Sequence, residues 1–286
     1  MRTTVLGHVC IDHNQSENAT YTAAGSPAVF IDRIYRLYKA CKTTIIAPYG
    51  RDFIPFAQDL TLLPTELNEE KTLVYENIST SNKRSQKALN RKTAFYIPLS
   101  EEIKKALSFS EVVIVAPLLP NLTADYLKTM LSFTPAKSLK VLLPQGYFRD
   151  FDNQNRVIPR GFKEWSEIIP QFDIITVSMD DKPNIEQDIV EWLNHHPQLL
   201  VVMTMADQGA KIFTADYSQL ISTIPVPEDE VVDSVGSGDI FTAVFIYHYQ
   251  KHKDPVRAVK YANDVAARCL KYTVDELYLA FQENKF

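Results

Sequence analysis

Short β-branched runs separated by helical stretches fill most of the chain, and this alternation narrows the fold more than any other feature. The runs are Thr4–Val9, Thr43–Ala47, Val112–Ala116, Lys140–Leu143, Asp173–Val177 and Leu199–Thr204. Between most of them lie segments of helical spacing, at Val29–Lys39, Glu101–Leu107, Ala124–Phe133 and Ile185–Leu193. Strands alternating with helices predict a parallel sheet covered on both faces. Ligands of such sheets bind outside the carboxyl ends of the strands. With 286 residues, the chain is long enough for one large α/β domain.

Two regions break the alternation. Asp12–Ala24 is polar and β-prone, and Glu70–Pro98 contains two strand-like runs, Thr72–Ile78 and Thr93–Ile97. Together they predict a small β-layer outside the main sheet, a natural lid over a site. Lys83, Arg84, Lys87, Arg91 and Lys92 lie between the two runs and read as a solvated surface. The expected organisation is a single domain over residues 1–286, with lid segments at about 12–26 and 70–98 inserted in it.

Composition excludes several classes. A net charge of −5 without a long Lys/Arg cluster argues against a nucleic-acid partner. Three scattered cysteines, Cys10, Cys41 and Cys269, fit a reducing compartment rather than a disulfide framework. No zinc-ligand spacing occurs, and no apolar run is long enough to cross a bilayer. A cytoplasmic enzyme without membrane contact is the expectation. Asp254 and Pro255 open a C-terminal helix as N-cap and first helical residue.

The densest chemistry lies in Asp233-Ser234-Val235-Gly236-Ser237-Gly238-Asp239, which follows a β-rich stretch and opens an apolar helix. Small residues at a helix N-terminus release backbone N–H groups toward an anion, and the helix dipole favours that anion. Asp239 beside such a site would repel a phosphate. It makes sense as a base that takes a proton from a hydroxyl attacking a phosphoryl group. A lone Gly-x-Gly reads as a turn with a capping Asp, but acids at both ends and the helix that follows favour the phosphate site. No Gly-Lys-Ser/Thr follows, so this is not a Walker A loop.

At these residues the sequence resembles the PfkB/ribokinase family of carbohydrate and nucleoside kinases, whose signature has the form Asp-Thr-x-Gly-Ala-Gly-Asp. The resemblance continues through Gly7-His8-Val9-Cys10-Ile11-Asp12, read as a first strand ending in an acid, and through Ala23-Ala24-Gly25-Ser26-Pro27-Ala28. It further includes Gly50-Arg51-Asp52 and Thr204-Met205-Ala206-Asp207-Gln208-Gly209. It implies a ribokinase-like three-layer α/β/α fold with a mostly parallel central sheet and a small β-lid. Asp239 is then the catalytic base, with the Gly236, Ser237 and Gly238 amides as anion hole. Asp12, Asn14, Gly25, Ser26 and Arg84 bind the acceptor, and Ser178, Thr204, Gly209 and Asn263 the nucleotide. ATP and Mg²⁺ are the implied cofactors, with Asp181 holding the metal through water; a monovalent cation beside Asp233 stays open. A homodimer through the lid is the assembly that an exposed lid strand suggests.

The departures bear on the substrate. Ala24 replaces the first glycine of the substrate loop, and Val29 stands where many sugar kinases of the family have Asn. Ser178-Met179-Asp180-Asp181 replaces Asn-x-x-Glu, and Ala206 replaces the glycine of Thr-x-Gly. The Pro144–Arg149 segment, the Gly-Ser-Pro-Ala-Val-Phe loop and Lys83-Arg84-Ser85-Gln86 resemble the myo-inositol kinase-like group. The expected acceptor is an inositol-like polyol or a sugar. The alternatives are a nucleoside kinase, with Tyr75 stacking on the base, and a non-catalytic metabolite-binding member.

Overall fold

Arg2–Gly7 forms the first strand, buried at every residue after Arg2. The computed structural model describes residues 1–15, 20–38, 41–67, 70–80, 83–93 and 97–282. The chain divides into two units, Met1–Val29 with Lys42–Phe172 and Phe30–Cys41 with Asp173–Phe286.

In the first unit, Arg2–Gly7 is flanked by Lys42–Ile46 and Val112–Ala116. Leu62–Leu63 and Leu139–Leu142 lie outside these, and all four pairings are parallel. Val112–Ala116 is buried along its whole length, as expected of a parallel strand covered on both faces. The helices Glu101–Ser108 and Ala124–Leu131 begin at Ser100 and Thr123, whose hydroxyls accept the N–H groups of Ile103 and Tyr126. Each such cap contributes roughly 1 kcal/mol.

The expected strand Thr4–Val9 ends early, at Gly7. A β-carbon there would lie 2.2 Å from the Ala116 carbonyl oxygen, so only glycine lets the backbone pass. Buried His8 accepts the Leu118 N–H at Nδ1, 3.0 Å away. Cys10–Gln15 then starts a second sheet, in the order Thr20–Gly25, Cys10–Gln15, Leu73–Thr80, Lys83–Leu89. Both off-pattern regions thus enter one four-stranded sheet. Asp12 belongs to this sheet and not to the end of the first strand.

The Lys83–Lys92 segment read as solvated surface is a strand over Lys83–Leu89. Its alternation is weak because Lys83, Arg84 and Lys87 are charged, and hairpin pairing to Leu73–Thr80 overrides that. The expected strand Thr93–Ile97 is not borne out at its described ends. Thr93 closes a 3₁₀ turn, Arg91–Thr93, and Ile97 is irregular, while 94–96 lie outside the described residues. A short hairpin, Arg149–Phe151 with Val157–Pro159, braces the Lys83–Leu89 edge. Ala88 N–H donates to Asn155 O at 2.9 Å, and Arg91 donates to Asn155 Oδ1 at 3.0 Å while lying 4.3 Å above the Phe151 ring.

The second unit carries two parallel strands, Ile174–Ser178 and Leu200–Thr204, followed by antiparallel Ala210–Phe213 and Ser218–Ile221. Its helices include Ile185–His195, Ser237–His252 and Pro255–Cys269. Asp254 caps the last of these through the Arg257 N–H, 3.0 Å away. Phe241, Phe245 and Tyr249 stack down one side of Ser237–His252. No helix among the described residues is long and apolar enough to cross a membrane.

Candidate functional site

The loop ahead of Ser237–His252 is shaped by its own polar groups. Asp233 Oδ1 accepts the Val235 N–H at 2.9 Å, and the N–H groups of Val232 and Asp233 both reach the Leu270 carbonyl, at 2.8 and 3.2 Å. Gly236 then adopts φ 75°, ψ 5° and starts the helix. A β-carbon on Gly236 would lie 2.4 Å from two carbons of the Phe30 ring. Glycine is therefore required twice, by the left-handed backbone and by the aromatic floor beneath it. Gly238 differs: a β-carbon there would meet nothing within 4 Å.

The first N–H groups of a helix have no intrahelical acceptor. Here they belong to Ser237, Gly238 and Asp239. The Ser237 N–H makes a long turn bond to Ser234 O, 3.3 Å. Asp239, half-buried in the first turn, brings its carboxylate to the positive end of the helix.

In the same unit the expected nucleotide segments converge on one strand end. Thr204 O accepts the Met179 N–H at 2.9 Å, and Thr204 Oγ1 donates to Val177 O at 3.3 Å. Asp181 Oδ2 accepts the Ser178 N–H at 2.8 Å, and Ser178 Oγ the Asp180 N–H at 3.2 Å. Gly209 has φ 101°, and a β-carbon there would lie 2.3 Å from Ile221 O. That same carbonyl accepts the buried amide of Asn263 at 2.9 Å. Ala206, in place of the family glycine, has φ 49°.

In the first unit, Asp12 lies against Gly25, with Ser26 next in the chain, while Asn14 pairs with Tyr21 farther along the same strand. Asp12 is buried and accepts the Cys10 thiol at Oδ1, 3.3 Å. A β-carbon on Gly25 would lie 1.9 Å from Asp12 Oδ2, so the glycine clears the space that the carboxylate fills. The residue in the loop with a positive φ is Ser26, at 110°, and not Ala24. The glycine-demanding position thus lies two residues later than the sequence comparison suggests. Ser26 O and Oγ both accept the Val29 N–H. Arg84 pairs with Ser79 in the lid hairpin; its side chain lies outside the described residues.

Two further residues join this face. Asn77 Nδ2 donates to Asn14 Oδ1 at 3.0 Å, and Gln86 Nε2 donates to Asn77 Oδ1 at 2.8 Å. Gln86 belongs to the Lys83-Arg84-Ser85-Gln86 stretch already singled out in the sequence, whereas Asn77 does not. The signal for it was an Asn two residues beyond Tyr75 on the same face of a β-run. Tyr75 is no stacking platform: it is 2% exposed, donates to Leu118 O at 2.9 Å and packs with Cys10, Leu73 and Ala88. Gly50 and Asp52 have a structural task. Asp52 Oδ1 accepts the Thr72 N–H at 2.9 Å and the Thr72 hydroxyl at 2.6 Å, and Thr72 Oγ1 accepts the Gly50 N–H. They anchor the entry to Leu73–Thr80. Among the described residues no group of three or more His, Cys, Asp or Glu is arranged to hold a metal ion.

A family model, pfkB family carbohydrate kinase, matches residues 66–274. No curated protein sequence matches the chain. Among solved structures, the chain is similar to a pyrophosphate-dependent kinase of the ribokinase family complexed with a pyrophosphate analogue and myo-inositol, at 18% identity and a TM-score of 0.76, covering 99% of this chain and 100% of that one. It is similar to Arabidopsis thaliana ribokinase complexed with ribose and ATP, at 14% identity and 0.70, covering 99% of each chain. A Methanocaldococcus jannaschii nucleoside kinase follows at 14% and 0.67, covering 99% of this chain and 98% of that one. These likenesses carry the fold: ribokinase-like, with a large, mostly parallel sheet covered by helices and a small β-sheet beside it.

Proposed function

The chain belongs to the pfkB family of carbohydrate kinases, which phosphorylate a hydroxyl group, and we propose that its acceptor is an inositol-like polyol or a sugar. The observation that carries this reading is the Gly236–Asp239 turn, where a glycine seated on Phe30 presents a helix N-terminus with a carboxylate in its first turn. Asp239 takes the proton of the attacking hydroxyl. The first-turn amides stabilise negative charge on the transferred phosphoryl, the kind of preorganised electrostatics that supplies most of the rate in such reactions. Asp12 and Asn14 hold the acceptor, with Gly25 and Ser26 shaping their loop. The 12–26 and 70–98 segments act as a lid that excludes water.

ATP is the proposed donor, met by Ser178, Thr204, Gly209 and Asn263. Asp181 suits a magnesium ion held mainly by phosphate oxygens, since such ions take one or two carboxylates and keep several waters. The ion would neutralise charge on the donor phosphates. A cytoplasmic location accords with Cys10, Cys41 and Cys269, none of which is in a disulfide. A homodimer through the Thr20–Gly25 edge is the assembly we favour, because the opposite edge carries the Arg149–Pro159 brace.

Pyrophosphate is a second donor reading. It is favoured by Asn263, whose buried amide is engaged with Ile221 O instead of presented to a base, and by the likeness to a pyrophosphate-dependent kinase. The test is a matrix of ATP or pyrophosphate against myo-inositol, ribose, fructose and adenosine, with Mg²⁺, scored by acceptor phosphate. Polyol or sugar phosphate with either donor supports the reading. Turnover of adenosine alone, or none with any acceptor, contradicts it.

A further inference from the structure

The Gly236–Asp239 turn has no cationic side chain of its own. From Asp233 to Asp239 the chain carries two carboxylates and no lysine or arginine. The basic residues of the helix that follows, Lys251 and His252, lie in its last turn. At about 1.5 Å of rise per residue, the length of Ser237–His252 puts them well beyond a Debye length from an anion at its start. The dipole and the first-turn amides supply only about half a unit of positive charge. A phosphoryl donor brings more negative charge than that.

The fold brings a cation to the floor of the turn. Phe30 and Arg33 sit on the helix Pro27–Leu37, at a spacing that puts both side chains on one face. Long side chains on a helix lean toward its N-terminus, and Arg33 Cζ accordingly lies 5.6 Å from the centroid of the Phe30 ring. That ring is the one on which Gly236 rests, with Cε1 and Cζ 2.4 Å from the position of a β-carbon. Phe30, Arg33 and the turn belong to the same compact unit. Arg33 is half-buried, and its Nη1 is closed off from solvent, which strengthens its field. The adjacent carboxylate, Asp32, is engaged by Arg36 one turn on, at 2.7 and 2.6 Å.

We propose that Arg33 is a positioning residue for the phosphoryl donor: held over Phe30, it adds positive charge beside the turn and draws the donor phosphates to the first-turn amides. This rests on the kinase reading above and adds to it a residue far from the Asp233–Asp239 sequence. Two unit charges about 8–10 Å apart in a partly shielded setting change affinity by roughly several-fold for each charge on the donor. The donor carries its charge before and during transfer. Arg33 therefore acts on the bound donor and the transition state alike, and it sets KM for the donor and not kcat.

The test compares wild type with Arg33→Met, Arg33→Gln and Arg33→Lys. Calorimetry measures binding of pyrophosphate and of ATP, and steady-state kinetics give kcat and KM for donor and acceptor. Thermal midpoints establish folding; Arg33→Gln is the second neutral variant if Arg33→Met does not fold. The expected result in the neutral variants is a loss of donor affinity of at least about fivefold and a matching rise in donor KM. Their kcat stays within about threefold and their acceptor KM is unchanged. Arg33→Lys keeps the charge, though not the flat stack, and returns donor affinity to within about threefold of wild type. Raising KCl from about 50 to about 300 mM narrows the gap between wild type and the neutral variants, because it screens the charge. Folded neutral variants with wild-type donor affinity overturn the proposal and leave the kinase reading intact. A loss that lysine does not restore and that acceptor KM shares overturns it too, since packing alone would explain that pattern. A wild type that binds neither donor and transfers no phosphate overturns the kinase reading and this proposal together.

Discussion

Gly25 and Asp12 face each other so closely that a β-carbon on the glycine would lie 1.9 Å from Asp12 Oδ2. Gly25 pairs with Cys10 and Asp12 with Ala23, so the two lie diagonally, two positions apart, in the Thr20–Gly25 and Cys10–Gln15 pair. Gly25→Ala must push the carboxylate out of its place. Crowding of this kind costs about 1–3 kcal/mol, and acceptor KM is expected to rise at least about tenfold. Gly161→Ala, where a β-carbon meets nothing within 4 Å, serves as the control and should leave both stability and KM unchanged. Equal behaviour of the two variants in thermal melts and kinetics would remove Gly25 from the account.

Gly236 rests on Phe30 in the same manner, with a positive φ added. Gly236→Ala incurs about 1–2 kcal/mol from the left-handed backbone and a further steric cost from the ring. Phe30→Leu in the Gly236→Ala background relieves the second cost and leaves the first. Urea unfolding of the two single variants and the double variant should therefore give a coupling of at least about 0.5 kcal/mol. Strict additivity would mean that the ring is not the floor of the turn.

Ala206 and Ser26 hold positive φ values of 49° and 110° without being glycine. Replacing either with glycine removes steric strain but loosens the unfolded chain. The net expectation for Ala206→Gly is a gain of about 0.5–1 kcal/mol, or roughly 1–4 °C in the melting midpoint for a chain of this size. A lower midpoint would show that the alanine conformation is relaxed.

His248, on the helix that starts at Ser237, predicts acid sensitivity. Burial first, then the positive field of His252, Lys251 and Arg257, lowers its pKa to about 4. Tyr38 OH lies 3.4 Å from Nε2, Tyr261 stacks on the ring at 4.2 Å, and Nδ1 has no hydrogen-bond partner among the described residues. The unfolded chain takes up this proton near pH 6.5 and the folded chain only near pH 4. The neutral side chain thus gives its full stability above about pH 6.5, and that stability is lost as pH falls toward 4, by up to roughly 3 kcal/mol. His248→Phe should flatten this acid limb in unfolding curves taken between pH 7 and 4.5. An unchanged limb would assign the acid sensitivity to other groups.

The main strands were legible because β-branched runs such as Val112–Ala116 are buried on both faces and carry a continuous apolar signal. The helix start at Asp254 was legible from its capping side chain, and those at Glu101 and Ala124 from helical spacing, with Ser100 and Thr123 as the caps that the structure adds. The Lys83–Leu89 strand was not, since its pairing with Leu73–Thr80 overrides its own charged composition. The Arg149–Pro159 brace was hidden because its bonds to Ala88 and Arg91 span over sixty residues of sequence. In the candidate site, the turn at 233–239 was legible from its glycines and acids. The requirement for glycine at Gly25 was not, because it comes from Asp12, on the neighbouring strand. Asn77 and its link to Asn14 become visible only once the register is known.

The central claim is that Asp239, in the first turn of Ser237–His252, takes the proton of the attacking hydroxyl. The direct measurement is phosphoryl transfer by Asp239→Asn against wild type, with the best donor and acceptor, alongside the thermal midpoint and donor affinity. A missing general base costs about 10²–10⁴ in rate. The account predicts a loss of kcat of at least about a hundredfold, with the midpoint and donor binding near wild type. Turnover within a few-fold of wild type would contradict it.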